Sequence, residues 1–232
     1  MSQRIEVIAF DADDTLWINE PIFVHTQSRV KEVLSHHLEI EQLDDLLYQT
    51  EVKNLRLFGY GVKGFVLSMI ETVIELTKEA VTGPEIQSII NLGKEMLEHP
   101  VEVLEGVRET LEVLQKDHTL MIITKGDLFD QESKVARSGL APYFSHVEVV
   151  SEKNKSTYDR ILSRYDFDRE RFLMVGNSLK SDVLPLVELG VEAVHIPYHS
   201  TWTHEQVASH VEAEADFHRL EDIRQLPRFL SH

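Results

Sequence analysis

The sequence predicts an α/β protein: a doubly wound, mostly parallel sheet interrupted by an inserted helical subdomain. Three observations predict it. Five short runs rich in Val, Ile and Phe, at 5–10, 119–123, 146–150, 172–175 and 191–196, are nearly continuous in apolar residues. Such runs suit strands buried on both faces of a parallel sheet. Helix-like stretches separate the last four runs, the alternation of a doubly wound fold. The first two runs stand roughly 100 residues apart, far beyond an ordinary crossover, and that interval carries helical periodicity throughout.

The first run leads directly into Asp11-Ala12-Asp13-Asp14-Thr15. The insert that follows shows four apolar stripes at 3–4 spacing: Phe23, Val30, Val33, Leu34 and Leu38; Leu43, Leu46, Leu47 and Leu55; Val62, Phe65, Val66, Met69, Ile70, Val73 and Ile74; and Ile86, Ile89, Ile90 and Leu97. Each marks one buried helix face. Thr82-Gly83-Pro84-Glu85 reads as a capping box with proline in the first turn. The insert is placed at 18–98, with Pro100 near the return, and the α/β core at 1–17 and 99–232. A helix around Val107, Leu111 and Leu114 belongs to the core. A second core helix from about Leu128 ends at Ser138-Gly139, and another from about Lys180 ends at Leu189-Gly190, each glycine suiting the residue just past a helix. Tyr158, Ile161, Leu162 and Tyr165 mark one more.

Composition narrows the function. The 232 residues hold 23 Lys plus Arg against 40 Asp plus Glu, a net charge of -17. A surface so acidic repels polyanions, so a broad nucleic-acid face is not expected. A hydrophobic content of 42% supports a real core, and the mean hydropathy of -0.20 is that of a soluble chain. No stretch approaches the ~20 apolar residues that span a bilayer, and the N-terminus enters a strand without a leader-like segment. Cysteine is absent, which removes disulfides, thiolate zinc ligands and thiol nucleophiles and fits a cytoplasmic setting.

Chemistry-bearing residues gather at the C-terminal ends of the predicted strands, where open parallel sheets bind ligands. They are Asp11 and Asp13 after the first run, Thr124-Lys125-Gly126 after the second, Lys153 or Lys155 after the third, and Gly176-Asn177-Ser178 with Asp182 after the fourth. Three acids within four residues repel one another and call for a cation. Carboxylates, a hydroxyl, an ammonium and an amide together form an inventory for phosphoryl transfer.

Taken in order, these segments resemble the motifs of the haloacid dehalogenase superfamily of aspartyl-phosphate phosphatases, over nearly the whole chain. Asp11-Ala12-Asp13-Asp14-Thr15 is similar to its DxDxT motif. Thr124 matches the second-motif Thr or Ser, Lys153 the third-motif lysine, and Gly176-Asn177-Ser178-Leu179-Lys180-Ser181-Asp182 the fourth, GDxxxxD. The helical insert resembles the family's C1 cap, and the core its Rossmann-like fold. The resemblance implies a phosphatase that hydrolyses a small phosphate monoester. Asp11 would be the nucleophile, Asp13 the acid and base, and Thr124 and Lys153 the phosphate anchors, with Thr15 bracing the loop. Lys125 and Gly126 join Thr124 and Lys153 as candidate substrate contacts, although Lys125, like Asp127 and Lys180, equally suits a place behind the site or at the surface. Asp11, Asp13, Asn177 and Asp182 are the implied ligands of Mg²⁺, which favours oxygen donors. Asn177 departs from the family pattern, which more often has Asp there, and removes one negative charge.

Other readings follow from the same residues. Transfer of the phosphoryl group to an acceptor other than water uses the same site. A 2-haloacid dehalogenase of this fold lacks the second acid of the first motif, so Asp13 argues for phosphatase. A phospho-receiver also groups acids, Thr and Lys, but the large insert speaks against it, and a metabolite-binding homologue without catalysis is motivated by Asn177 alone. Asp14 reads as a helix cap or solvated acid, and Trp17 as packing beneath the hinge of the insert. The segment Leu57-Phe58-Gly59-Tyr60-Gly61-Val62-Lys63-Gly64 suits either a mobile substrate loop or a plain turn. The scattered histidines show no H-E-x-x-H spacing, so a zinc site is not expected. Oligomeric state is not written in the sequence.

Overall fold

A computed structural model describes residues 4–37 and 42–231; Leu38 of the first predicted stripe lies outside them. Six parallel strands form one sheet in the order β3-β2-β1-β4-β5-β6: β1 Val7–Phe10, β2 Thr119–Lys125, β3 His146–Val150, β4 Phe172–Gly176, β5 Glu192–His195 and β6 His218–Arg219. The doubly wound class expected from the sequence is the class observed. Five strands fall on the predicted runs. The sixth is two exposed residues paired to Val194 and His195, too short to leave an apolar signal.

Alternation within β1 explains the two cores. Ile8 and Phe10 join Leu120, Ile122, Leu173 and Val175 on one face, covered by Val107, Leu111 and Leu114 of α5 (Val107–Leu114) and by Val135 of α6 (Leu128–Ser138). Val7 and Ala9 join Met121, Ile123, Phe172 and Met174 on the other, covered by Tyr158, Ile161 and Leu162 of α7 (Lys155–Tyr165) and Leu186 of α8 (Leu184–Val187). The strands read as continuous apolar runs because both faces are covered. Register sets the site. Phe10 lies beside Ile122 and beside Val175, so β1 and β4 end together, and chain order reverses between them, the place where such sheets bind ligands.

The chain divides into two compact units, residues 1–20, 101–125 and 131–232, and residues 21–100 with 126–130. The second unit contains α1 (Glu20–Val33), apart from its first residue, α2 (Leu43–Phe58), α3 (Val62–Leu76) and α4 (Gly83–Glu98). Val30, Leu43, Leu47, Phe65, Met69, Val73, Ile89 and Met96 build its core. The predicted capping box is present, with Thr82 and Glu85 bonded reciprocally. Thr50 and Asn54 extend the buried face of α2 past Leu47. Asn54 Nδ2 donates to Glu71 Oε2 at 2.6 Å and Ser68 Oγ at 3.3 Å on α3. Lys63 places its ammonium 2.9 Å from Asp127 Oδ1 and 5.7 Å from the Phe129 ring centre, so the 57–64 segment lies against 126–130.

Gly139 and Gly190 adopt φ of 69° and 70°, the left-handed conformation expected just past a helix. The helix expected from Lys180 differs from a regular α-helix. It is a π-helical turn, Leu179–Val183, followed by the single turn α8. Pro185 cannot donate to the Ser181 carbonyl, and the Tyr158 hydroxyl donates to it instead at 2.9 Å. π-helical turns of this kind recur beside functional sites.

Candidate active site

Asp11 follows β1, and its N–H donates to Val175 O at 2.9 Å, one step beyond the last ladder pair. The chain then curls tightly: the N–H groups of Thr15 and Leu16 donate to Ala12 O at 3.3 and 2.8 Å. Asp14 takes a φ of 60° to allow it, a conformation that Asp tolerates better than most residues. Its carboxylate accepts the N–H of Asn19 at 2.8 Å and of Glu20 at 3.0 Å. Asp14 is therefore the cap at the start of α1, and a buried one. Burial pushes its carboxyl up to about 7 against those two donors.

Lys153 reaches Asp11 from beyond β3. Its ammonium lies 2.5 Å from Asp11 Oδ1 and 2.6 Å from Asp182 Oδ1, and all three side chains are buried. Burial alone would depress this lysine, but the two carboxylates outweigh it and carry it up to about 12. Burial likewise raises Asp11 to about 7, with the Lys153 ammonium opposing and the Asp182 charge adding. Lys155 instead opens α7 and is exposed. Asp182 uses its second oxygen to accept the Ser178 N–H at 3.0 Å. A Cβ on residue 176 would stand 2.3 Å from that oxygen, so only glycine fits there.

The Thr15 hydroxyl bridges Asp11 Oδ2 at 3.3 Å and Asn177 Oδ1 at 3.2 Å. These two oxygens therefore converge on one point from opposite sides of the switch between β1 and β4. An oxygen-only set of this kind, with lone pairs left over beyond one shared hydroxyl, fits a hard divalent cation. His195 Nε2 is 3.0 Å from the Asn177 carbonyl and steadies that loop from β5. Burial lowers the His195 imidazole below its ordinary range, so the neutral ring donates from Nε2 to the carbonyl.

Asp13 has separate surroundings. Its Oδ1 accepts Trp17 Nε1–H at 2.7 Å and the Lys134 ammonium at 3.0 Å; its Oδ2 accepts Gln131 Nε2–H at 2.9 Å. Gln131 also donates to Thr124 Oγ1 at 2.7 Å. That oxygen accepts from Gln131, and its own hydrogen, directed to the Lys125 carbonyl at 3.4 Å, can turn to an anion instead. Gln131 thus joins the predicted acid and base to the predicted anchor. Its Oε1 is buried and has no hydrogen-bond partner. Trp17 is a core side chain, as packing required, and also a donor to Asp13.

Lys125 points elsewhere. Its ammonium lies 2.6 Å from Glu205 Oε1 and 2.8 Å from Ser181 Oγ. Burial works against the Glu205 carboxylate, but Lys125 and the hydroxyls of Ser178 and Ser181 outweigh it and hold it down to about 2. This network braces the turn that carries Asp182. Gly126 belongs to the 126–130 segment and has a φ of 147°, which side-chain-bearing residues rarely adopt. No motif marked Gln131, Lys134 or Glu205, and His195 stood only among the scattered histidines. For the first two a signal existed: they sit three apart on one face of the helix that follows Thr124.

The sheet's switch point thus gathers a strand-end carboxylate paired with a buried lysine, a second carboxylate two residues on and a strand-end threonine. The sequence profile of haloacid dehalogenase-like hydrolases matches residues 5–190; the chain belongs to that family. It is 25% identical over 206 residues to the glyceraldehyde 3-phosphate phosphatase of Pyrococcus furiosus, covering 84% of this chain and 82% of that protein. It is 28% identical over 113 residues to the pyrimidine 5'-nucleotidase PynA of Streptococcus pneumoniae, covering 45% and 47%. A haloacid dehalogenase-like family hydrolase from Xanthomonas campestris superposes with a TM-score of 0.87 at 40% identity, over 98% of this chain and 91% of that one. By class the chain is a phosphoric monoester hydrolase, as are those two sequence relatives. No helix among the described residues is long and apolar enough to cross a membrane.

Proposed function

We propose that the protein is a Mg²⁺-dependent, cytoplasmic phosphatase that hydrolyses a small phosphate monoester through a phosphorylated Asp11. The observation that carries this reading is the different pairing of two neighbouring carboxylates. Asp11 is fixed by Lys153 and Thr15, while Asp13 is fixed by Trp17, Gln131 and Lys134. A nucleophile must be held still, and a proton carrier must stand apart from it.

The steps balance as follows. An Asp11 oxygen attacks phosphorus, the phosphorus–oxygen bond to the leaving group breaks, and Asp13 gives the departing alkoxide a proton. Asp13 then takes a proton from water, whose oxygen attacks phosphorus and releases Asp11 and inorganic phosphate. Thr124 donates its hydroxyl to a phosphoryl oxygen, and Lys153 offsets the negative charge gathered at Asp11. Asp11, the Asp13 main-chain carbonyl and Asn177 would hold the cation, with Asp182 sharing ligation or acting from behind through Lys153. When bound, the cation neutralises charge on the phosphoryl oxygens. With an amide at Asn177 the set has one charge fewer than the common pattern, so weaker Mg²⁺ affinity is expected.

The helical unit at 18–98 is read as a cap that restricts access, which favours small phosphorylated metabolites. The named substrates of the relatives, a triose phosphate and pyrimidine nucleotides, support that class. A panel of sugar phosphates, phosphorylated acids and nucleoside monophosphates, assayed with Mg²⁺ and with EDTA, tests the reading. Turnover that needs the cation and falls at least about 10³-fold in Asp11→Asn is expected. Full activity in Asp11→Asn, or turnover of 2-haloacids alone, overturns it.

A further inference from the structure

We propose that His36, His37 and Glu85 form a second metal site, in the helical unit, for a divalent transition-metal ion of the zinc type. His36 Nε2 lies 2.9 Å from Glu85 Oε1 and His37 Nε2 lies 3.1 Å from the same oxygen. The two rings stand 4.3 Å apart between centres, and one ligand atom from each residue falls within 4.8 Å of the other two. A tetrahedral ion with bonds of about 2.0–2.1 Å keeps its ligand atoms roughly 3.3 Å apart. Both nitrogens stand near that spacing from Glu85 Oε1, and all three atoms lie within 4.8 Å of one another, so one ion can reach all of them with small movements.

The carboxylate is oriented for this from behind. Glu85 Oε2 accepts the Thr82 N–H at 2.6 Å and the Thr82 hydroxyl at 2.7 Å, which leaves Oε1 toward the imidazoles. Metal-ligating carboxylates commonly have such an outer partner. The same two donors hold Glu85 down to about 2, so it is an anion at neutral pH and offsets the positive end of α4. The two imidazoles choose the ion. Two nitrogens with one oxygen suit Zn²⁺, Cu²⁺ or Ni²⁺, whereas Mg²⁺ prefers oxygen alone. His37 is well covered and His36 is largely exposed, so the ion has an entry path and room for water as a fourth ligand. A direct pairing, with Oε1 accepting from both imidazoles as Oε2 accepts from two Thr82 donors, is the competing account, and binding of the ion separates the two. The 48-residue separation of His37 and Glu85 explains why no zinc pattern shows in the sequence.

The test uses the full chain without a purification tag. Stripped protein is titrated with Zn²⁺ against a chromophoric chelator, in excess Mg²⁺. One equivalent of bound Zn²⁺ is expected, weakened about 100-fold in His37→Ala and Glu85→Gln, about 10-fold in Thr82→Ala, and unchanged in Asp11→Asn. The exposed His36→Ala serves if the buried variants fail to fold, and Co²⁺ in place of Zn²⁺ should give the intense visible bands of a four-coordinate ion. Wild-type affinity in His36→Ala and Glu85→Gln overturns the proposal, as does loss of the equivalent in Asp11→Asn, which would assign it to the strand-end acids.

Discussion

Asp11 and Asp13 stand two residues apart on one turn, yet they meet different elements of the fold. The partners of Asp11 come from beyond β3 and β4: Lys153 directly, and Asn177 through Thr15. The distant partners of Asp13 come from α6, the helix that follows β2. The first set is a buried charge cluster that holds a carboxylate rigidly and raises its cost of ionisation. The second is a fan of donors around a half-buried group. One turn serves two chemical tasks because the chain curls after Asp11 instead of running on as a strand, in which residues two apart would share a face, and each carboxylate meets a different element.

The strongest way to break this contrast is to remove the charge that only one side depends on. Lys153→Met leaves Asp11 and Asp182 buried and unpaired, and stranding a buried partner costs about 3–5 kcal/mol. Loss of turnover together with a fall in denaturation midpoint is expected, most severe above pH 7, where the buried Asp11 charge has lost the ammonium that opposed its desolvation. An unchanged midpoint at pH 8 would mean that the buried pair is not what holds Asp11.

The Asp13 side is probed more gently. Gln131→Leu removes the link between Asp13 and Thr124, and kcat should fall about 10- to 100-fold with a smaller change in KM. Gln131→Glu is sharper: it keeps the shape but replaces a donor with an acceptor facing Asp13 Oδ2. Activity lower than in Gln131→Leu is expected near neutral pH, with recovery as the pH drops and the new carboxyl protonates. Equal activity of the two variants across the pH range would show that Gln131 only fills space.

The same contrast decides what the sequence could reveal. The gathering of Asp11, Asp13, Thr124, Lys153 and Asn177 just past strands was legible from the apolar runs before them, whereas Asp182 lies further on, in the π-helical turn. The Asp11 side needs little more than those motifs. The Asp13 side depends on Gln131, 118 residues away, and the brace behind Asp182 on Glu205, 80 residues from Lys125. On a helix such as α6, polar residues opposite the apolar stripe read as solvated, and only tertiary contact tells otherwise. Asn54 and Ser68 in the helical unit were hidden for the same reason: an apolar periodicity search passes over buried polar residues that continue the stripe. The π-helical turn fell inside a helix expected to run from about Lys180 to Leu189; Pro185 within it was the available signal, while the Tyr158 hydroxyl on the freed carbonyl is a purely tertiary contact.

The smallest expected effect concerns Asp14, the acid of the turn that serves neither side. Its ordinary value is 3.8, and burial lifts it to about 7 in the folded chain. Near pH 6 the folded protein keeps a proton here that the unfolded chain has lost. The contribution of this group to stability therefore declines as pH rises from about 4 through 7 and is flat above. Asn at this position cannot ionise, still accepts the N–H groups of Asn19 and Glu20, and tolerates a φ of 60°. Asp14→Asn should match the wild type near pH 4 and exceed it by a margin that grows as the pH rises through 7. Thermal midpoints of both proteins in EDTA, taken every half unit from pH 5 to 8, read this directly. His195, lowered by burial, costs stability as pH falls below 6.5, and Asp11 acts in the same sense as Asp14, but both are present in each protein and cancel in the difference. A difference that stays level from pH 5 to 8 would mean that the two backbone donors, not burial, govern Asp14.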